Sequence, residues 1–211
     1  MLFHPTFFAP IIQYVALVST DKVTFEREDN FQKQTYRNRC YICGPNGRQL
    51  LSVPVLHAHG KGRQKTREVK LDNSFRWQTN MFRSLEASYR SSPFFEYFED
   101  DIRAVFDKRH DYLLDLNLAT LEVVNACLDI ELPFDFTESY QQEVKVSDMR
   151  GLVDAKSKVQ YDFKPYTQVF GNKHGFLSNL SILDLLFNEG TSALSYLQDH
   201  GSLTSFLRFQ G

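Results

Sequence analysis

The chain has 211 residues, of which 42% are hydrophobic and 14% aromatic, and this is enough apolar material for one buried core. Its 24 basic and 26 acidic residues give a formal net charge of -2. No overall field therefore draws the chain to nucleic acid or to an anionic membrane, neither of which is predicted as a partner, and we expect any bound anion to be held by local cations.

The apolar first 20 residues do not form a predicted secretion signal. No Lys or Arg precedes Lys22, and His4, Pro5 and Pro10 interrupt the apolar run. No segment reaches the roughly 20 apolar residues that a membrane helix needs. These features predict a cytoplasmic protein.

The predicted strands lie mainly in residues 1–72. A short strand at Leu2 and Phe3 is expected to end at His4-Pro5, and a helix over 9–20 should follow. Residues 23–26 and 36–43 alternate as strands do, and this alternation places Arg37 and Arg39 on one face. The GPNG turn at 44–47 predicts a hairpin over 36–56.

The predicted helices follow in residues 73–136. Trp77, Met81, Leu85 and Tyr89 recur every fourth residue, which indicates an amphipathic helix. A second helix is expected to start with Ser92 as its cap and Pro93 in its first turn, and a third to cover 111–129.

The last quarter of the chain is predicted to be a loop over 137–160 and a closing helical module over 161–211. In that module Ser181 and Asp184 have capping-box spacing, and Gly190 is expected to end the helix. The predicted fold is therefore α/β or α+β, in which a strand-rich half with a small sheet packs against a mostly helical half within a single domain.

Cysteine and histidine spacing does not predict a metal site. The odd count, Cys40, Cys43 and Cys127, favours free thiols in a reducing compartment. No second pair completes a zinc site with the CxxC, and no third ligand is visible for His57 and His59.

Residues 29–40, DNFQKQTYRNRC, form the densest group of polar side chains. Arg37 and Arg39 offer planar sets of donors that match phosphate or carboxylate, and Lys33 adds a mobile charge. Asn38 would project to the opposite face and could hold backbone or an amide. The alternative is that both arginines are solvated or pair with the acidic residues within 26–29.

A second basic patch covers residues 57–70. Lys61 and Arg63 lie beside Gly60 and Gly62, and glycines let backbone amides approach a phosphate over which such a loop could close. The spacing is that of neither a P-loop nor a dinucleotide fingerprint. A mobile surface loop is the alternative.

His4 is the candidate for proton transfer. It lies where a strand ends before a helix, which is where open α/β sheets bind ligands, and its ordinary pKa suits acid–base chemistry. The alternative is a histidine at the edge of the core that backbone groups satisfy. We expect Trp77 and Tyr89 to belong to the helical core rather than to a site where a ligand stacks on an aromatic ring.

Several spaced motifs together resemble the WbqC-like family of bacterial proteins. They are, in order, FHPTFFAPIIQYVALVSTDKVTFE, DNFQKQTYRNRCYI, LSVPV, Lys65-Thr66 with Trp77, SPFFEYF, LLDLN and GFLSNLSILDLLFNEG. The chain departs from the family opening because Thr6 follows the proline and no Gln follows His4, which leaves any role of that Gln unfilled.

The resemblance implies an association with surface polysaccharide gene clusters, particularly those for O-antigen, without a settled reaction. It also implies candidate site positions, which are His4, Lys33, Arg37, Asn38, Arg39, Trp77 and Asn117. Asn117 lies on a predicted helix whose apolar stripe faces inward, so it either caps a buried polar group or reaches the site.

These observations favour an enzyme that transfers a group onto a sugar or a nucleotide-activated sugar. His4 would be the base, Asn38 would orient the acceptor, and Arg37, Arg39, Lys61 or Arg63 would hold a phosphorylated or carboxylate-bearing small molecule. We expect His4 and the arginines to share one cleft between the two halves. The sequence specifies no cofactor.

Two other functions remain open. One is a non-catalytic interaction module of a polysaccharide-assembly complex, whose cationic face docks an acidic partner. The other is an ATP-dependent enzyme similar to nucleotidylyltransferases, although Gln13 and Tyr14 stand where their second histidine would be.

Overall fold

Two small sheets contain the strands of the chain, whose computed structural model describes residues 1–56 and 63–204. In the first sheet β1 (Leu2–Phe3), β2 (Val23–Phe25) and β5 (Phe134–Phe136) lie parallel in the order β1-β2-β5. In the second, β3 (Arg39–Gly44) and β4 (Gly47–Ser52) form an antiparallel hairpin. The two-residue connection at 45–46 confirms the predicted turn.

Helices follow the first strand and dominate the second half of the described chain. They are α1 (Ile11–Val18), α2 (Trp77–Tyr89), α3 (Phe95–Asp107), α4 (Leu113–Cys127), α5 (Gly171–His174), α6 (Ile182–Glu189) and α7 (Ala193–Asp199). This mixed architecture of small sheets with mostly C-terminal helices confirms the predicted fold class. The division into four segments of one domain stays a prediction. In the described ranges, none of the helices combines the length and apolarity that crossing a membrane requires.

Apolar faces of both sheets and most helices meet in one buried cluster. The predicted stripe of α2, Trp77 to Tyr89, is buried as expected. Phe3 and Phe25 of the parallel sheet belong to the same cluster as Phe187 of α6. Burial of each such side chain stabilises the fold by about 1.5–3 kcal/mol. The cluster therefore fixes the positions at which β1 and β2 end.

A buried carboxylate ties the closing helices to the hairpin. The hydroxyl of Tyr89 donates to Oδ1 of Asp184 at 2.6 Å and accepts a hydrogen bond from the backbone N–H of Cys43 at 3.1 Å. Tyr166 and Gln168 donate to Oδ2 of the same carboxylate. Burial raises the pKa of Asp184. This residue therefore serves the tertiary structure rather than the predicted reciprocal cap, although Ser181 does cap α6 through the N–H of Leu183.

Three local predictions are wrong. Residues 36–38 are not part of a strand, because β3 begins at Arg39 and the preceding residues form a turn, so Arg37 and Arg39 do not share a strand face. Ser92 does not cap α3; its hydroxyl donates to the carbonyl of Tyr89 and closes the end of α2. Residues 134–136, expected in the helical part, form β5.

The predicted loop over 137–160 is partly ordered against the parallel sheet. The N–H of Leu2 donates to the carbonyl of Ser147, and the N–H of Met149 donates to the carbonyl of Leu2. A short 3-10 helix, Arg150–Val153, follows. This segment therefore covers the edge of β1 that β2 leaves unpaired.

We expect Gly190→Ala to lower the free energy of unfolding by at least about 2 kcal/mol. Gly190 ends α6 with a φ of 55°, and a Cβ there would lie 2.5 Å from the ring of Phe94. Urea unfolding of the variant measures the loss. Gly151→Ala is the matched control because its Cβ would meet nothing within 4 Å. Equal stabilities of the two variants would contradict the prediction.

Candidate functional site

The carboxylate of Asp29 is the centre of a buried polar cluster. Its Oδ2 accepts a hydrogen bond from Nη2 of Arg37 at 2.6 Å, and its Oδ1 accepts one from the hydroxyl of Thr66 at 2.6 Å. Arg37 is only 1% exposed, and its Nη1 donates to the hydroxyl of Thr35. A buried ion pair needs such additional hydrogen bonds to offset its desolvation. The guanidinium is therefore held in one orientation.

His4 lies beside this ion pair, immediately after β1. Its Nε2 is 3.7 Å from Oδ2 of Asp29, which is longer than a hydrogen bond. Burial, together with the positive charges of Arg37 and Arg150, holds the pKa of His4 well below its ordinary value of 6.5, against a smaller opposing effect of the Glu26 carbonyl. The imidazole is therefore neutral near pH 7 and has a lone pair available to accept a proton.

Asn117 joins the two segments that carry His4 and Arg37. From α4, where it is 1% exposed, its Nδ2 donates to the carbonyl of Pro5 at 3.2 Å and to that of Arg37 at 2.9 Å. Of the two predicted roles, the geometry matches the capping of buried polar groups. A cavity of about 10 Å³ beside it is lined in part by Thr6 and Thr120.

Several side chains of the cluster are anchored at one atom and keep another buried atom without a partner. Asn38 donates from Nδ2 to the carbonyl of Val53, while its Oδ1 is unpartnered. In the described residues, eight buried side-chain atoms have no hydrogen-bond partner, and five belong to predicted site residues. These five are His4 Nδ1, Arg37 Nε, Asn38 Oδ1, Arg39 Nε and Asn117 Oδ1. Since buried polar atoms are almost always paired, each of these atoms is a position where a bound ligand would complete the hydrogen bonding.

A second carboxylate extends the cluster toward the surface. Glu28 accepts hydrogen bonds from Lys65 at 2.7 Å and Arg67 at 2.6 Å, and the hydrogen bond from Lys65 lowers the pKa of Glu28. Pairing of the arginines with the acidic residues within 26–29 was the alternative to anion binding, and Arg37 does pair with Asp29. Thr66 was named only as part of a family motif and not as a site residue, because its partner Asp29 is 37 positions away and gives no local signal.

The structure separates the other predicted site residues from this ion pair. Arg39 begins β3, and the register places it on the same face as Tyr41 and Arg48. Lys33 and Arg63 are exposed. Trp77 is buried in the core, where its indole N–H donates to Asn73. Lys61, His57 and His59 lie outside the described residues.

The cysteines of the CxxC are buried side chains of β3. Burial raises the pKa of Cys40 to about 12, so its thiol stays protonated. Over residues 1–56 and 63–204, no three His, Cys, Asp or Glu side chains are grouped so that they could hold a metal ion.

The fold and the cluster define a mixed α/β protein with a buried histidine, carboxylate and guanidinium at the end of a parallel strand. A family model described as the WbqC-like protein family matches residues 5–161, and the chain belongs to this family. It is 29% identical over 198 residues to Uncharacterized protein Rv1507c of Mycobacterium tuberculosis (strain ATCC 25618 / H37Rv), in an alignment that covers 80% of this chain and 84% of that protein. No solved structure matches the chain.

We expect Asp29→Asn to lower the free energy of unfolding by about 3–5 kcal/mol, because it leaves the buried charge of Arg37 uncompensated. Urea unfolding near neutral pH measures the loss. Asp111→Asn is the control, since Asp111 pairs with Arg109 at the surface, where 68% and 75% of the two side chains are exposed. A loss no larger than that of the control would contradict the role given to the pair.

We also expect stability to depend on pH through His4. Its folded pKa lies below 6.5, so as the pH falls through 6.5 the unfolded chain binds a proton at this imidazole that the folded protein does not. The free energy of unfolding should therefore fall more steeply in the wild type than in His4→Gln, by about 1.4 kcal/mol per pH unit. Urea unfolding at several pH values tests this difference. Identical slopes for wild type and His4→Gln would refute the expectation.

Proposed function

We propose that the protein is a group-transfer enzyme that acts on a sugar or a nucleotide-activated sugar in surface polysaccharide biosynthesis of the O-antigen type. The observation that carries the proposal is that His4 and Arg37 both lie against the Asp29 carboxylate, while each of them and the neighbouring Asn38 keeps a buried polar atom without a partner. The polysaccharide context comes from the family resemblance. The free buried thiols suit a reducing compartment, which supports a cytoplasmic location.

In the proposed reaction His4 is the general base. Its neutral imidazole takes the proton from an acceptor hydroxyl or amine as that atom forms its bond to the transferred group, and the leaving phosphate departs with the electron pair of the broken bond. Nδ1 of His4 has no hydrogen-bond partner among the described residues, and with the ring proton on Nε2 it would accept the proton in this step.

Arg37 and Asn38 would orient the reactants. Both Nη atoms of Arg37 are anchored, by Asp29 and Thr35, so its Nε–H is a pre-oriented donor for an anionic oxygen of the donor substrate. The Oδ1 of Asn38 would accept the hydrogen bond of the acceptor. Asp29 holds the arginine in place beside the imidazole.

The same geometry gives less support to the two alternatives. An interaction module that docks a macromolecular acidic partner through Arg37 would need that guanidinium at the surface, yet it is 1% exposed and paired, and the proposed enzyme likewise requires a small anionic ligand to reach this buried group. In the nucleotidylyltransferase-like reaction, a second histidine would steady the phosphate. Gln13 lies at that position and its Nε2 donates to the carbonyl of His4, so it serves the turn instead.

We expect His4→Gln to lower turnover by about 10²–10⁴-fold while substrate affinity changes little, because the amide cannot accept the proton in the transition state. Nucleotide sugars, aminoacyl donors and acyl donors are first screened by thermal shift. Product is then measured by mass spectrometry with the donors that stabilise the protein. Arg37→Lys should weaken binding of the same donor, since a lysine cannot keep both anchors and an Nε donor.

His174→Gln is the control, since that ring contacts the carbonyl of Pro45 at the hairpin turn. Full turnover by His4→Gln would remove His4 from the mechanism. The absence of stabilisation by every phosphorylated ligand would count against the enzyme as a whole.

A further inference from the structure

A cavity of about 350 Å³ lies on the other side of the turn that carries Arg37. The hairpin, the segment 151–161 and residues 178–179 enclose it. Its polar lining consists mainly of Tyr36, Arg48, Asp154, Lys158, Tyr161 and Asn179. None of the proposed catalytic or substrate-orienting residues is among these six, so the cavity is a separate candidate site.

Arg48 is the main cationic group of this cavity. Its guanidinium carbon lies 3.9 Å from the centroid of the Tyr41 ring, and its Nη2 donates to the hydroxyl of Tyr36 at 3.3 Å. Stacking and one hydrogen bond fix the plane of the guanidinium and leave its other donors unused by the described residues. A fixed, partly unused guanidinium is suited to bind a phosphate or carboxylate.

The remaining charges of the lining favour an anion. Lys158 is exposed and adds a second positive charge. Asp154 is the one acidic residue of the lining, and its Oδ1 accepts the N–H of Lys156 within its own turn. Two cations and one partly occupied carboxylate leave an excess of one positive charge.

Neutral groups of the lining suit a ligand that carries hydroxyls. Tyr36 and Tyr161 line the cavity, and the proximity of Tyr36 adds to the effect of burial in raising the pKa of Tyr161. Both phenols therefore stay protonated and can donate or accept. Asn179 accepts the N–H of Ile12 at Oδ1 and thereby presents its amide Nδ2 as a further donor.

We propose that this cavity binds a monosaccharide that carries one phosphate or one carboxylate. The fixed guanidinium and the ammonium would hold the anionic group, and the tyrosines and the amide would bind the ring hydroxyls. The volume lies at the lower end of the roughly 300–1,000 Å³ of ligand pockets, which suits a single sugar rather than a nucleotide sugar. This site goes beyond the proposed function and does not require His4 to be catalytic.

Isothermal titration of the whole protein with four probes tests the site. The probes are glucose 1-phosphate, glucuronate, glucose and inorganic phosphate. We expect one or both anionic sugars to bind more tightly than glucose and than inorganic phosphate, and the stronger of the two identifies the anionic group. Arg48→Gln should weaken that binding by roughly ten- to a hundredfold, and Lys158→Ala by a smaller factor.

Two matched variants control for general changes in surface charge. Lys156→Ala removes a neighbouring exposed lysine that does not line the cavity, and Arg83→Gln removes an exposed arginine of α2. Both should bind as the wild type does. Lys158→Ala should keep the wild-type melting temperature because Lys158 is exposed, and the melting temperature of Arg48→Gln, which also loses the contacts with Tyr41 and Tyr36, is measured alongside to show that the variant stays folded.

Three results would overturn the proposal. They are no binding of either anionic sugar at millimolar concentrations, binding that Arg48→Gln leaves unchanged, and binding of inorganic phosphate as tight as that of glucose 1-phosphate. His4→Gln should bind these probes normally, so failure of the proposed transfer reaction and failure of this site are distinguishable.

Discussion

The ion pair between Asp29 and Arg37 is the interaction on which the rest of the site depends. Both carboxylate oxygens are used, one by Arg37 and the other by Thr66, so the pair joins two distant stretches of chain. Replacing a buried pair with apolar groups is often no less stable, so its contribution to folding is a weak reason for its presence. The effect of the pair on its neighbour His4 is clearer than its effect on stability. It places a positive charge beside His4, and that charge helps to keep the imidazole neutral.

The site is built from side chains that are fixed at one atom and unsatisfied at another. Asn117 is fixed by two backbone carbonyls and Asn38 by one, yet the amide oxygen of each is buried and unpartnered. Each such atom costs free energy that folding alone does not recover. Proteins tolerate local violations of this kind mainly at functional sites, where a ligand completes the hydrogen bonding. In the proposed function a bound ligand would complete the hydrogen bonding of these atoms.

Local pattern predicted much of the fold, whereas long-range pairing decided the rest. The strand before His4, the α2 stripe and the end of α6 at Gly190 follow from periodicity and from glycine and proline, which act over a few residues. The direction of the Arg37 side chain does not follow from such local patterns. Its partner Asp29 and the turn between the two residues override the alternation expected of a strand. Likewise, the three residues of β5 are too short a pattern to indicate a strand until β2 lies beside them.

The turn before β3 explains how the two proposed sites can lie so close along the chain. Tyr36 and Arg37 are consecutive, yet Tyr36 contacts Arg48 at the cavity and Arg37 contacts Asp29. The backbone of Tyr36 is itself fixed on both sides, since its N–H donates to the carbonyl of Val153 and its carbonyl accepts the N–H of Phe7. These bonds bind the turn to the segment that follows His4 and to the wall of the cavity. The relative position of the two proposed sites is therefore set by one short piece of backbone.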